Sequence, residues 1–382
     1  MPRFAASTYL NLVPMRLLVT VTLNPNQFRA HLEPITALEE VETVTLVADE
    51  PGPSMPKVRT IVPPRWLSRA CGRAVAKLIT GMVVAVRERP DWVLGYMLVP
   101  HGVNAVLIAK LVGARSYLHA LGGPVEWQGG GYASDNKILN RRTKPSKYIE
   151  RVLVTALKAA DVVAVMGTRA REELIALGLD PKRVVVMPAS VDPVRVKTAE
   201  ANKRPESYDV VTACQLISRK RLHEFLQALA IVRETHPGLR AAIAGRGPLD
   251  GKLKEEARRL GLEDAVDFLG FVHDVESVYA HASVFVLTSQ REGLSIAMTE
   301  AMSAGVPVVV TDIGEARDVV IPGESGFLFE VGDVEGLAVH LNRLLSDDEL
   351  HAEMSAAAVE AVRSTSNPER ITELNRVALL GV

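Results

Sequence analysis

Short apolar runs alternate with helix-length amphipathic stretches along almost the whole chain. Runs at 17–23, 43–47, 92–95, 116–119, 162–165 and 184–187 have the length and Val/Leu content of strands buried on both faces. Between them, apolar residues spaced three and four apart predict helices over 29–40, 66–87, 100–111, 146–159 and 168–177. The rhythm stops in a polar, charged stretch from Ala189 to Ser207 and then resumes. Strands are expected at 209–213, 240–244, 265–269, 282–287 and 308–311, with helices over 221–235, 333–345, 347–364 and 368–380. Such alternation belongs to α/β proteins, in which parallel strands are covered by their crossover helices. At 382 residues the chain is long enough for two cores. The pattern divides it into an extension 1–14, a first domain 15–190, a linker 191–207, a second domain 208–364 and a terminal segment 365–382.

Three stretches depart from the rhythm. Residues 49–64 hold five prolines and read as an irregular surface excursion. In the following helix Arg65, Arg69, Arg73 and Lys77 recur at steps of four, a basic stripe opposite Leu67, Ala70, Cys71, Ala74, Val75, Leu78 and Ile79. Such a stripe is either a solvated charged face or a surface for anionic lipid headgroups. From Leu121 to Ser134 the chain is so rich in Gly that no core is expected from it. It reads as a flexible or ligand-shaping loop at the carboxyl end of a strand.

The densest chemistry lies between Ser289 and Thr311, S-Q-R-E-G-L-S-I-A-M-T-E-A-M-S-A-G-V-P-V-V-V-T. A strand ends before Ser289, Glu292-Gly293 makes a turn, and a short helix opens at Leu294, Ser295 and Ile296 and stops at Gly305-Val306-Pro307. Helix-opening N–H groups lack partners within the helix, and the dipole favours negative charge there, so this turn suits a phosphate. Glu292 and Glu300 beside it suit hydroxyl groups, and the combination fits a ligand carrying both phosphate and polyol. The plain alternative is a capped crossover helix with two solvated glutamates.

The run Glu-x7-Glu followed by Ala-Met-x-Ala-Gly-x-Pro-Val-Val resembles the donor-site signature of family-4 glycosyltransferases. Three further segments match in order. Ser218-Arg-Lys-Arg-Leu resembles the family's basic segment, with Lys220 at the Lys position. Gly245-Arg-Gly-Pro matches its Gly-x-Gly-Pro turn, and Pro322 to Leu328 its closing, hairpin-like segment. Cys214-Gln215 stands where the family has Gly-Arg, so the usual Arg is missing and Arg219 is the candidate substitute. The loop after the first strand, Asn24 to Arg29, lacks the family's glycines, leaving Arg29 and His31 as residues within reach of an acceptor.

The resemblance implies a GT-B fold: two Rossmann-like domains facing each other across a cleft, with a C-terminal helix crossing back to the first. It implies a retaining, metal-independent transferase that moves a sugar from a UDP- or GDP-sugar to an acceptor hydroxyl, lipid-linked or polysaccharide, with no cofactor. Carried over residue by residue, Glu292 contacts the transferred sugar, Lys220 and Arg219 the diphosphate, and Glu300 the ribose. Gly245, Gly247, Phe271, Gly293, Leu294 and Ser295 complete the donor site, and His119 occupies the acceptor-side position. A sugar-nucleotide epimerase or phosphorylase on the same frame, or a silent scaffold relative, are the other readings.

Charge adds one observation. The first 190 residues carry 24 Lys and Arg against 15 Asp and Glu, whereas the rest carry 20 against 30. The basic half suggests an anionic partner surface, through the stripe at Arg65, Arg69, Arg73 and Lys77 and a second run from Lys137 to Arg151. Nucleic acid is not expected, because no aromatic-interleaved basic motif accompanies the charge. Cys71 and Cys214 have no metal-ligand spacing and read as reduced thiols of an intracellular protein. No uninterrupted apolar run reaches membrane-spanning length, so the expectation is a cytoplasmic protein, peripheral on the inner face of the membrane.

Overall fold

A computed structural model describes residues 14–22, 25–52, 54–134, 136, 138–139, 141, 143–192 and 207–381. The expected extension, and the linker from 193 to 206, lie outside the described residues. Two separate all-parallel sheets organise the chain. The first contains β1 (Met15–Thr20), β2 (Val41–Val47), β3 (Val58–Ile61), β4 (Trp92–Tyr96), β5 (Arg115–Ala120), β6 (Val162–Val165) and β7 (Val184–Val186), in the order β3-β2-β1-β4-β5-β6-β7. The second contains β8 (Tyr208–Ala213), β9 (Ala241–Ala244), β10 (Val266–Gly270), β11 (Ala282–Leu287), β12 (Val308–Thr311) and β13 (Gly326–Phe329), in the order β10-β9-β8-β11-β12-β13. Strand order reverses between β1 and β4 in one sheet and between β8 and β11 in the other. In open parallel sheets the crevice at such a reversal, beyond the carboxyl ends of the strands, receives ligands. The loops after β4, β5, β8 and β11 all meet there.

Val and Leu occupy both faces of the central strands because helices cover both faces. Leu17, Leu18, Val19, Val93 and Leu94 are buried in the first sheet, and Val210, Val211, Val284, Phe285 and Val286 in the second. The terminal helix Pro368–Leu380 returns to the first domain: Ile371, Ala378 and Leu379 join the core of β1, β2 and the helix Pro25–Thr36. Arg376 there pairs with Glu40, 2.9 Å away.

Four sequence expectations change. The proline-rich excursion contains β3, which pairs with β2 through Val44–Val47. The segment expected as hairpin-like forms β13, an edge strand parallel to β12. The Gly-rich loop does contribute to a core. Trp127 is fully buried among Leu153, Leu157, Ala170 and Leu174, and its indole N–H donates to Glu173.

The basic helix, Arg65–Glu88, is interrupted at Gly72, whose φ of 80° is closed to most side chains, so the stripe is not continuous. Lys77 does not belong to an exposed stripe at all. It is 3% exposed, and its ammonium donates to Asp49 at 2.7 Å and to Thr22 at 2.6 Å. Burial lowers its pKa, and Asp49 opposes that. Of the expected apolar side, Ala70, Val75 and Ile79 are exposed and Leu67, Cys71, Ala74 and Leu78 are half-buried; Trp66, Val83 and Val86 of the same helix are exposed too, as are Leu107 and Leu111 on the next helix, Val103–Val112.

Candidate active site

A cavity of about 380 Å³ lies between the two sheets and is walled by both domains. Its second-domain wall is built by the loops after β8 and β11. The first of these ends in a tight turn at Ser218–Lys220, and the second holds Glu292 in the turn before the helix Ile296–Ser303. Backbone bonds lock the two loops together: Gln290 N–H donates to the Arg219 carbonyl at 2.8 Å, and the Thr288 hydroxyl donates to the Lys220 carbonyl at 2.7 Å. That registration brings Lys220 Nζ onto Glu292 Oε1 and Arg219 Nη1 to 3.2 Å from Glu292 Oε2. Ser289 donates to the same carboxylate at 2.8 Å. Burial alone would raise the Glu292 pKa, but Lys220 and then Arg219 outweigh it and hold the carboxyl below its usual range.

Glycines make this geometry possible. A side chain at Gly293 would come within 2.6 Å of the Leu121 carbonyl across the cleft, so Gly293 and the loop after β5 meet backbone to backbone. Ser295 caps the helix by accepting the N–H of Met298, and Leu294 tucks into the core beneath. The helix-opening residues Ser295, Ile296 and Ala297, whose N–H groups lack partners from a preceding turn, line the cavity together with Lys220 and Arg219. Glu300, farther along the helix, lines the same cavity, and its charge lies close enough to add to the burial that raises the Tyr279 pKa.

The other expected donor residues divide. Gly245 and Gly247 do not line the cavity. They allow their turn to press on the backbone of Cys214 and Leu216, where any side chain would collide, and Leu216 N–H donates to the Arg246 carbonyl at 3.0 Å. They shape the loop that carries Lys220. Phe271 does not line the cavity either; it is an exposed ring with the Arg246 guanidinium 5.5 Å from its centroid. Gln215, at the position of the missing Arg, lines the cavity, and Arg219 stands beside Lys220.

The first-domain wall differs from expectation. His119 is buried beneath the floor, donating from Nε2 to the Met187 carbonyl at 3.1 Å, and it does not line the cavity. Its ring meets His31 edge-on, centroids 5.2 Å apart, and His31 is the histidine that reaches the cavity. Burial lowers His31 to about 4, so it is neutral at neutral pH. Met97, Val99, Val125, Leu139 and Met166 give this wall an apolar character, relieved by Gln27, Ser134, Asn136 and Glu126. Glu126 escaped the sequence reading because it sits in the Gly-rich loop, where one carboxylate has no spacing partner to flag it. Cys214 lies behind Lys220, and burial raises its thiol to about 11. Among the described residues no group of three or more His, Cys, Asp or Glu converges to hold a metal ion.

The domains also touch away from the cavity. Glu315 and Asp318 of the second domain cap the helix Thr168–Ala176 of the first. Arg169 and Ala170 donate their N–H groups to Glu315 at 3.1 and 3.0 Å, and Thr168 donates its N–H and its hydroxyl to Asp318 at 2.5 Å each. A side chain at Gly167 would collide with both carboxylates.

Residues 193–361 match the family described as Glycosyl transferases group 1. Among named relatives, the chain is 26% identical over 300 residues to N-acetyl-alpha-D-glucosaminyl L-malate synthase of Bacillus anthracis, covering 75% of this chain and 74% of that protein. It is 27% identical over 222 residues to a glycogen synthase of Mycobacterium tuberculosis, covering 57% of this chain and 54% of that one. In three dimensions it resembles the Anabaena protein Alr3699/HepE, solved with UDP and glucose. The TM-score is 0.77 at 18% identity, over 96% of this chain and all of that one. At that identity the likeness is one of fold.

Proposed function

We propose that the chain, whose residues 193–361 match the group 1 glycosyl transferases and whose fold is GT-B, transfers a sugar with retention from a nucleotide-diphospho-sugar, UDP-linked, to an acceptor hydroxyl. The observation that carries this is the set Lys220–Glu292–Arg219 at the opening of the helix Ile296–Ser303. Two cations stand against one carboxylate at the place where a diphosphate would enter. A diphosphate entering beside the helix opening competes for Lys220 and Arg219 and frees Glu292 for the sugar hydroxyls. As the anomeric carbon–oxygen bond breaks, both cations and the N–H groups at Leu294 and Ser295 stabilise the charge growing on the leaving phosphate. The acceptor hydroxyl attacks from the same face, and the departing phosphate oxygen takes its proton. The scheme uses no metal. UDP is chosen because the Anabaena neighbour was solved with it. Glu300 is assigned to the ribose, and Phe271, stacked near Arg246, to the base.

The apolar first-domain wall suits a lipid-linked acceptor better than a highly hydroxylated polymer. We place the enzyme at an anionic membrane surface, on the helices that expose Trp66, Val75, Leu107 and Leu111 beside Arg65, Arg69 and Arg73. No helix among the described residues is long and apolar enough to cross a membrane.

The direct test is a panel of UDP-, GDP- and ADP-sugars with product analysis by NMR, in excess EDTA. The expected result is UDP-sugar turnover with the anomeric configuration kept. Inversion, or loss of transfer on chelation with recovery in Mn²⁺, would rule the scheme out. Donor turnover to an epimer without acceptor would favour the epimerase reading.

A further inference from the structure

Glu126 stands on the first-domain wall of the cavity, across from Glu292, and the scheme above gives it no task. It is 6% exposed. One carboxylate oxygen accepts the N–H of Gly122, in the loop after β5, and the other accepts the N–H of Leu98, in the loop after β4. These are adjacent strands, and their loops supply Met97, Val99, Leu121 and Gly122 to the wall. The Leu121–Gly122 backbone is the part that meets Gly293, next to Glu292. A single side chain thus ties together the two loops that must hold an acceptor hydroxyl against the donor sugar.

The tie depends on charge. An ionised carboxylate presents acceptors only, and here it meets two N–H donors. The neutral acid carries a hydroxyl proton that opposes one of them. Among the described residues, no hydrogen bond or ion pair brings a cation to this carboxylate, and the two N–H groups favour its ionised form. Burial raises its pKa, overcoming both bonds, to about 7. The charged and titratable groups around it are few. Glu173 accepts from Trp127, Glu150 accepts from Gly129, and Glu315 approaches Gly123. Across the cavity stand His31, Arg219, Lys220, Arg291, Glu292 and Glu300. His31 titrates far below neutrality, and Glu315 is itself raised by burial, so it is the group to control for.

We propose that Glu126 is an acceptor-positioning residue whose carboxylate, when ionised, braces the loops after β4 and β5 into the transfer-competent wall. The proposal rests on the glycosyl-transfer reading for its catalytic consequence, but not for its structural one.

Two measurements test it. The first needs no substrate: hydrogen exchange of the Gly122 and Leu98 amides at pH 6 and pH 8, corrected for intrinsic rates. Protection should be about tenfold greater at pH 8, and the difference should vanish in Glu126→Gln and persist in Glu315→Gln. Equal protection at the two pH values in the wild-type protein would overturn the proposal whatever the enzyme's reaction. The second is kcat/KM for acceptor from pH 5.5 to 9, beside donor affinity by calorimetry. Wild type should show an acid limb near pH 7 in the acceptor term alone. Glu126→Gln should lose the limb and roughly 10- to 100-fold of the acceptor kcat/KM, with donor affinity within about twofold. A limb unchanged in Glu126→Gln, or donor affinity falling in parallel, would remove Glu126 from this role. Should Glu126→Gln fold poorly, Glu126→Asp, too short to span both loops, must give the same acceptor-selective loss. Protection that follows pH as expected, with no nucleotide-sugar bound, would sink the transfer reading and leave the brace standing.

Discussion

Lys220 contacts Glu292 and is assigned to the diphosphate, so its removal should affect two ligands unequally. Lys220→Ala should weaken UDP binding by about 1.5–3 kcal/mol, the worth of a charge-assisted contact, while uridine binding stays nearly unchanged. Calorimetry with both ligands checks this, and equal losses would remove Lys220 from the phosphate site. At this scale the gathering of Arg219, Lys220, Glu292 and Glu300 around one cavity was legible in the sequence, because they sit in or beside turns whose spacing the backbone dictates, whereas Gly245, Gly247 and Phe271 fall outside its lining. Glu292, Leu294, Ser295 and Glu300 fall within nine residues of chain, and one helix opening places them all. His119 was harder to read. Its position at a strand end was recognisable, but the approach of Met187 and the overlying His31, from 68 and 88 residues away in the chain, put it under the floor. Lys77 shows the same limit: spacing placed it on a helix face, while Asp49 and Thr22 decide that the face is buried there.

Among elements, the helix Thr168–Ala176 matters most to the cleft, because its opening turn is satisfied by the other domain. Three backbone N–H groups and one hydroxyl donate to Glu315 and Asp318, so closure of the cleft and capping of the helix are one event. Gly167→Val should push both carboxylates off the helix. The expected outcome is a larger radius of gyration in small-angle scattering and kcat reduced by roughly tenfold or more, since small misplacements across a cleft are costly. An unchanged radius would mean that closure is held elsewhere. Strand and helix existence was readable from periodicity for most elements. β3 was hidden by the prolines around it, because an edge strand tolerates neighbours that a central strand cannot. The packed Gly-rich loop was hidden for the opposite reason. Its core contribution comes from one residue, Trp127, with no periodicity to announce it.

For the whole molecule, the charge imbalance between halves was plain from composition, but where the apolar surface lies was not. Spacing sets Val75 and Ile79 on the buried side of their helix, yet the residues buried there are Ala76, Lys77, Gly81, Val84 and Ala85. Each Arg near an anionic leaflet is worth about 1 kcal/mol, so the proposed membrane contact, three Arg with an exposed Trp, would be reversible attachment rather than anchoring. In co-sedimentation with liposomes, binding should require anionic lipid, fall with salt, and drop when Trp66 becomes Ser and Arg69 and Arg73 become Glu. Equal pelleting with neutral and anionic vesicles would leave those residues as ordinary surface.

The returning helix Pro368–Leu380 has a consequence in time as well as space. It supplies Ile371, Ala378 and Leu379 to a core whose other members, Leu32, Ile35, Leu38 and Val41, are translated more than 300 residues earlier. On the ribosome the first domain therefore emerges first and is completed last. Until the second domain has been synthesised, the groove awaiting that helix stays open to water. The nascent first half is then a natural client for chaperones that hold apolar surface, and the enzyme acquires both halves of its cleft in one late step.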